Sequence, residues 1–176
     1  MAQERKAAVT LRGTPLTLAG PEITPGQLAP DFVAVDVGLK EVKLGDARGT
    51  VVVLSSVPSL DTPVCDTETR RFNQEAADLG PGVEVWTLSM DLPFAQKRWC
   101  GAAGVERVKT LSDFRHRAFG EAYGVRVVDG PIAGLTARAV FVVGKDGTVR
   151  HVEYVKDVAS EPDYASALAA ARAAAR

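Results

Sequence analysis

Apolar residues concentrate in two short runs, Val51-Val52-Val53-Leu54 and Ala137 to Val143. Runs this short and this rich in β-branched residues read as strands buried on both faces. Val83 to Ser89 and Val108 to Leu111 predict two further strands. Asp31 to Val37 and Lys40 to Leu44 alternate apolar with polar positions and predict two shorter ones. Val9 to Arg12 and Leu16 to Leu18 flank Gly13-Thr14-Pro15, which predicts an N-terminal hairpin at about residues 8–19, outside the main sheet. A linker rich in turn formers covers 24–30, and Asp46 to Thr50 reads as a turn.

Helical spacing begins after the first apolar run. Cys65, Phe72, Ala76 and Leu79 fall on one stripe, and Gly80-Pro81-Gly82 ends that helix. Asp91 is placed to cap a short helix with Pro93 in its first turn, running through Trp99 and Cys100 and stopped by Gly101 and Gly104. Phe114 to Tyr123 reads as a helix ended by Gly124, and Gly130 to Gly134 as a loop. Lys145-Asp146-Gly147 predicts a turn from which Thr148 to Val155 returns antiparallel. Ser160 is placed to cap a last helix with Pro162 and Asp163 in its first turn, continuing into the alanine-rich tail. Strands and helices alternate and the chain closes on a hairpin and a helix. The expectation is one α/β domain over 1–176, a central mixed β-sheet flanked by helices.

Composition adds mainly exclusions. The 176 residues are 46% hydrophobic and 24% charged, with a formal net charge of −1. That balance argues against a nucleic-acid or membrane-surface partner. No signal peptide or membrane span is expected, and two cysteines without a disulfide framework suit a reducing, cytoplasmic setting. His116 and His151 share no ligand spacing with either cysteine and are expected at the surface, so no metal site is expected. No phosphate-binding or dinucleotide motif occurs, and Trp86 and Trp99 read as core.

The chemistry gathers in Pro58-Ser-Leu-Asp-Thr-Pro-Val-Cys65. Thr62 is a good N-cap and Pro63 suits the first helical position, so Cys65 becomes the third residue of the helix. Its sulfur then meets unpaired backbone N–H groups and the positive end of the helix dipole, which favour a thiolate. A buried structural cysteine is the competing interpretation. Asp66 and Glu68, in the same turn, would oppose the thiolate if their side chains approach it.

The pattern Pro58-x-x-x-Thr62-x-x-Cys65 resembles the active-site motif of the peroxiredoxins. Asp91-Leu-Pro-Phe-Ala-Gln-Lys-Arg-Trp-Cys100-Gly-Ala resembles the resolving-cysteine helix of their thiol peroxidase branch, the atypical two-cysteine enzymes. Ala122-Tyr-Gly-Val125, Asp129-Gly-Pro131, Gly134-Leu-Thr-Ala-Arg138-Ala-Val140 and Glu161-Pro-Asp-Tyr164 are similar to that branch in the same order. The resemblance implies a thioredoxin-like fold, no bound cofactor and a homodimer. It also implies reduction of hydroperoxides with thioredoxin as electron donor. Cys65 would attack peroxide, Cys100 would resolve the product as an intramolecular disulfide, and Pro58, Thr62 and Arg138 would complete the pocket.

An arginine opening so apolar a strand, if it faces inward, needs an anionic partner. A peroxide-sensing relay protein is the alternative function, while the absence of Cys-x-x-Cys argues against a general thiol–disulfide oxidoreductase. One cysteine near a helix start and the other near the end of another helix predicts thiols held apart in the reduced form. A disulfide needs Cα atoms within about 7 Å, so local unwinding must precede closure.

Overall fold

Residues 2–176 are described in a computed structural model. Seven strands form the main sheet: β3 (Val33–Asp36), β4 (Glu41–Lys43), β5 (Val51–Ser56), β6 (Val83–Ser89), β7 (Val108–Ser112), β9 (Ala139–Val143) and β10 (Val149–Tyr154). Their order is β10-β9-β5-β6-β7-β3-β4. The pairs β5·β6 and β6·β7 are parallel, and the remaining pairs are antiparallel. The sheet is therefore mixed, as the alternation of elements implies.

Period-two side chains divide its two faces into separate cores. Val51, Val53, Val85, Val140 and Val142 point to the face covered by α1 (Pro63–Ala76), α2 (Pro93–Ala103) and α4 (Tyr164–Ala175). Val52, Leu54, Trp86, Phe141 and Val143 point to the other, where α3 (Ala118–Ala122) and the N-terminal hairpin lie. With both faces covered, β5 and β9 are buried along their whole length, which is why their sequences are continuous apolar runs.

The hairpin is longer than expected. Its strands β1 (Glu4–Leu11) and β2 (Thr14–Ala19) join β8 (Arg126–Val127) in a three-stranded sheet of their own. The turn sits at Arg12-Gly13, both at positive φ, with Pro15 already in the strand. Asp157 stabilises this turn by accepting from the Arg12 and Gly13 backbone N–H groups and the Thr10 hydroxyl. These donors hold its carboxyl well below the usual carboxylate range.

Two expected caps and one expected helix start fall elsewhere. The last helix is capped by Asp163, whose carboxylate accepts from Ser166 N at 3.0 Å, so Ser160 and Pro162 precede it. Leu92, not Asp91, occupies the cap position of α2. Helix α3 is only Ala118–Ala122, because buried Asp113 accepts from the Phe119 and Gly120 N–H groups and sets a later start. Burial pushes that carboxyl up to about 6, against the pull of those two N–H groups. Gly101 lies inside α2, and Gly104 alone ends it, in the left-handed conformation at φ 65°. The turn expected at 46–50 begins earlier, as a 3-10 turn over Leu44–Ala47. No described helix is long and apolar enough to cross a membrane.

Candidate active site

Strand β5 runs into the segment 57–62, which is tied down from both sides. The Thr136 hydroxyl donates to Val57 O at 2.9 Å. Asp91 accepts from the Ser59 hydroxyl at 2.7 Å, the Leu60 N–H at 2.8 Å and the Ser89 hydroxyl at 2.7 Å. Its role is thus to clamp this loop against the end of β6, which spacing along the chain did not reveal. The loop delivers Pro63 to the first turn of α1 and Cys65 to its third residue, as expected.

Thr62 holds the cap position, but its hydroxyl makes no capping bond to a helical N–H. It reaches Cys65 Sγ at 2.7 Å and Ser59 O at 2.8 Å. One hydroxyl has one proton, so the two contacts define two states. When Cys65 is a thiol, its S–H donates to Thr62 Oγ1 and the hydroxyl donates to Ser59 O. When Cys65 is a thiolate, the hydroxyl donates to sulfur.

Arg138 lies just before β9 and is only 2% exposed. Its guanidinium makes three contacts: Nε donates to Val158 O at 3.0 Å, Nη1 to Glu68 Oε2 at 2.5 Å, and Nη2 to Cys65 Sγ at 3.3 Å. Glu68 is the anionic partner that an inward arginine requires. Its other oxygen accepts from the Ser55 hydroxyl at 2.8 Å. Burial pushes the Glu68 carboxyl up to about 7, while the Arg138 guanidinium and Ser55 hydroxyl oppose that shift. Glu68 and Cys65 in turn hold the Arg138 pKa up despite its burial. Glu68 was visible in sequence only as a nearby charge in the first helical turn; its pairing with a residue 70 positions away was not. Asp66 points outward, to Arg70 and to the indole N–H of Trp99.

A cleft of about 310 Å³ opens onto this cluster, its walls including Pro58, Thr62, Val64, Ile132, Arg138 and Val158. Pro58 and Thr62 therefore meet Arg138 at one cavity. Its wall is largely apolar, with Thr62, Arg138 and the exposed Arg12 as its polar members. Val158 links Arg138 to the segment that Asp157 fastens to the hairpin tip. Three parts of the chain thus converge on the sulfur.

Cys100 is elsewhere. It lies near the end of α2, half-buried, and its Sγ is 3.3 Å from Thr110 Oγ1. The two cysteines are not bonded to each other. Helix α2 is held against α1 by Trp99 Nε1 donating to Asp66 at 2.9 Å and by Arg70 donating to Ala103 O at 3.2 Å. His116 is exposed and pairs with Glu41 at 2.9 Å, whereas His151 is partly buried with an unpartnered Nε2. The expectation of a surface histidine holds for the first and not fully for the second.

Known proteins match along nearly the whole chain. The Redoxin family model covers residues 24–168. A thiol peroxidase of Halalkalibacterium halodurans is 51% identical over 96% of this chain and 99% of its own length. A thiol peroxidase of Bacillus subtilis is 48% identical over 95% of this chain and 98% of its own. Among solved structures, a peroxiredoxin-like protein from Aquifex aeolicus superposes with a TM-score of 0.90 at 44% identity, covering 96% of each chain. A thiol peroxidase from Chromobacterium violaceum shares the fold, with a TM-score of 0.82 at 21% identity over 90% of this chain and 91% of its own. The chain belongs to the Redoxin family.

Proposed function

We propose that this protein is a thiol-dependent peroxidase that reduces hydrogen peroxide and organic hydroperoxides to water and alcohols. The observation that carries this reading is the buried Cys65 sulfur held between the Thr62 hydroxyl and the Arg138 guanidinium, two residues that line a cleft. Guanidinium and helix N-terminus favour negative charge on that sulfur. The thiolate attacks one peroxide oxygen, the O–O bond breaks, and the departing oxygen takes up a proton to leave as alcohol or water. Sulfur is oxidised to sulfenic acid as the peroxide is reduced. Arg138 and Thr62 are fixed donors beside the reacting atoms, so charge developing on the departing oxygen meets preorganised dipoles. Pro58 closes one side of the cleft and keeps water from the sulfur.

Cys100 then attacks the sulfenic sulfur, water leaves, and an intramolecular disulfide forms. A dithiol donor, thioredoxin, reduces it. The ties between α1 and α2 that carry the two cysteines must loosen first, because each thiol sits in its own contacts. The working unit is a homodimer in the cytoplasm. Peroxide-dependent consumption of reducing equivalents in a system of thioredoxin and its reductase tests the reading. Sustained turnover is expected; oxidation of one equivalent per chain without turnover would replace it with a peroxide sensor.

A further inference from the structure

We propose that the helix carrying Cys100 rests on a half-satisfied polar seam, and that two residues of this seam, Gln96 and Thr87, set how readily the helix leaves the sheet and so how fast the disulfide closes. This rests on the function proposed above. Gln96 and Trp99 are the buried residues of α2, and Gln96 stands one turn before Cys100. Its side chain donates from Nε2 to Ser89 Oγ at 3.1 Å and to Leu111 O at 2.9 Å, so it fastens α2 to both β6 and β7. Cys100 Sγ lies 3.3 Å from Thr110 Oγ1 on β7. Thr87 completes the row. It is opposite Thr110 in the parallel register of β6 and β7, and period two puts it on the same face as Ser89. A helix seated on a sheet ordinarily buries an apolar stripe. Here a glutamine, a serine and two threonines, all buried, lie where that stripe would be.

The seam is only partly paired. Gln96 Oε1 and the Thr87 hydroxyl are buried and have no hydrogen-bond partner among the described residues. A buried polar atom without a partner loses its hydration and gains nothing in return, and water restores that loss when the covering element lifts. These two atoms therefore favour release of α2. Gln96 Nε2 acts against them, because its two hydrogen bonds are broken on lifting. The balance leaves α2 seated in the reduced protein yet locally unstable, as a moving part must be. The step so controlled is attack of the Cys100 sulfur on the Cys65 sulfenic acid. An S–S bond forms, the S–O bond breaks, and the oxygen leaves as water with the sulfenic and thiol protons. Ser89 extends the seam to the loop before Cys65. Its hydroxyl accepts from Gln96 and donates to Asp91, which holds Ser59 and Leu60. Lifting α2 thus loosens the support of both sulfurs in one event.

The test pairs two substitutions with opposite expected effects. Thr87→Val keeps the shape and removes an unpartnered hydroxyl, so α2 should sit more firmly. Gln96→Ala removes two hydrogen bonds, so α2 should lift more readily. Each reduced protein is mixed with hydrogen peroxide, and stopped-flow Trp99 fluorescence separates peroxide-dependent attack from peroxide-independent closure of the disulfide. Closure is expected to slow about tenfold in Thr87→Val, the scale of one unsatisfied buried hydroxyl, and to speed up about fivefold in Gln96→Ala. Attack should be unchanged in Thr87→Val, which a general disturbance of the fold would not give. Hydrogen exchange of the reduced proteins, run without peroxide, should show the amides of 94–104 better protected in Thr87→Val and less protected in Gln96→Ala. Closure in Thr87→Val at or above the parent's rate overturns the proposal, as does protection of α2 that matches the parent's. Should Gln96→Ala fail to fold, Thr87→Val decides alone. Raised protection of α2 in a protein that consumes no peroxide would uphold the seam while removing the function on which it was built.

Discussion

The surroundings of the two cysteines differ in almost every respect. Cys65 is fully buried at the start of α1, with a hydroxyl at 2.7 Å and a guanidinium at 3.3 Å. Cys100 is half-buried at the end of α2, and its sulfur lies 3.3 Å from the Thr110 hydroxyl. Among the described residues, no charged side chain hydrogen-bonds its sulfur. The first site is assembled from α1, the loop before β9 and the chain after β10, so its geometry survives small motions. The second depends on a single helix that a left-handed glycine terminates one turn later. A thiol that must stabilise charge needs fixed partners. A thiol that must travel to another sulfur is better served by few.

The comparison breaks most completely at Cys65. Cys65→Ser keeps the volume and removes the nucleophile, so peroxidase turnover should fall by at least about a thousandfold with the fold intact by circular dichroism. Turnover near the parental rate would transfer the nucleophile's role to Cys100.

Arg138→Lys comes next. One ammonium cannot reach Val158 O, Glu68 and the sulfur together, so the second-order rate of peroxide attack should drop about a hundredfold. An unchanged rate would place the source of charge stabilisation in the helix N-terminus alone.

The mobile side of the comparison is sharpened at Asp66. Asp66→Asn weakens the link from α1 to the Trp99 indole and to Arg70. Closure of the disulfide after oxidation should speed up about fivefold, the value of roughly 1 kcal/mol for one partly exposed hydrogen bond. Stopped-flow Trp99 fluorescence reads this directly. In the parent, amides of residues 62–68 and 94–104 should exchange faster than those of Val51–Leu54 and change protection on oxidation. Equal protection throughout, unaltered by oxidation, would rule out local unwinding.

The smallest effect concerns pH. Glu68 is raised by burial from 4.5 to about 7, so the folded chain binds more protons than the unfolded chain between those values. Stability from this group therefore falls as pH rises through that window and is recovered on acidification. The melting temperature should gain a few degrees between pH 8 and pH 6 relative to Glu68→Gln, measured by calorimetry. Asp113, raised to about 6 by burial, acts in the same direction in both proteins and cancels in the difference.

Much of this architecture could be read from residue order alone. The runs 51–54 and 137–143 become central strands because both sheet faces are covered, which demands continuous apolar sequence. Pro63 opens a helix because its first-turn preference is local, so Cys65 is placed by its immediate neighbours. Errors gathered where one polar side chain had several possible partners. Asp91, suited to capping a helix, is taken by Ser59, Leu60 and Ser89; Asp113 delays α3; and Asp163 displaces Ser160. Hydrogen-bond capacity is written in the sequence, but its assignment depends on which groups folding brings within about 3 Å. The same limit applies to the site. That an inward arginine would need an anion follows from the cost of burying charge. That the anion is Glu68, with Ser55 behind it and Val158 O beside it, was decided by β5, β9 and α1 packing together, because the desolvation that makes the pairing necessary exists only once the core has closed.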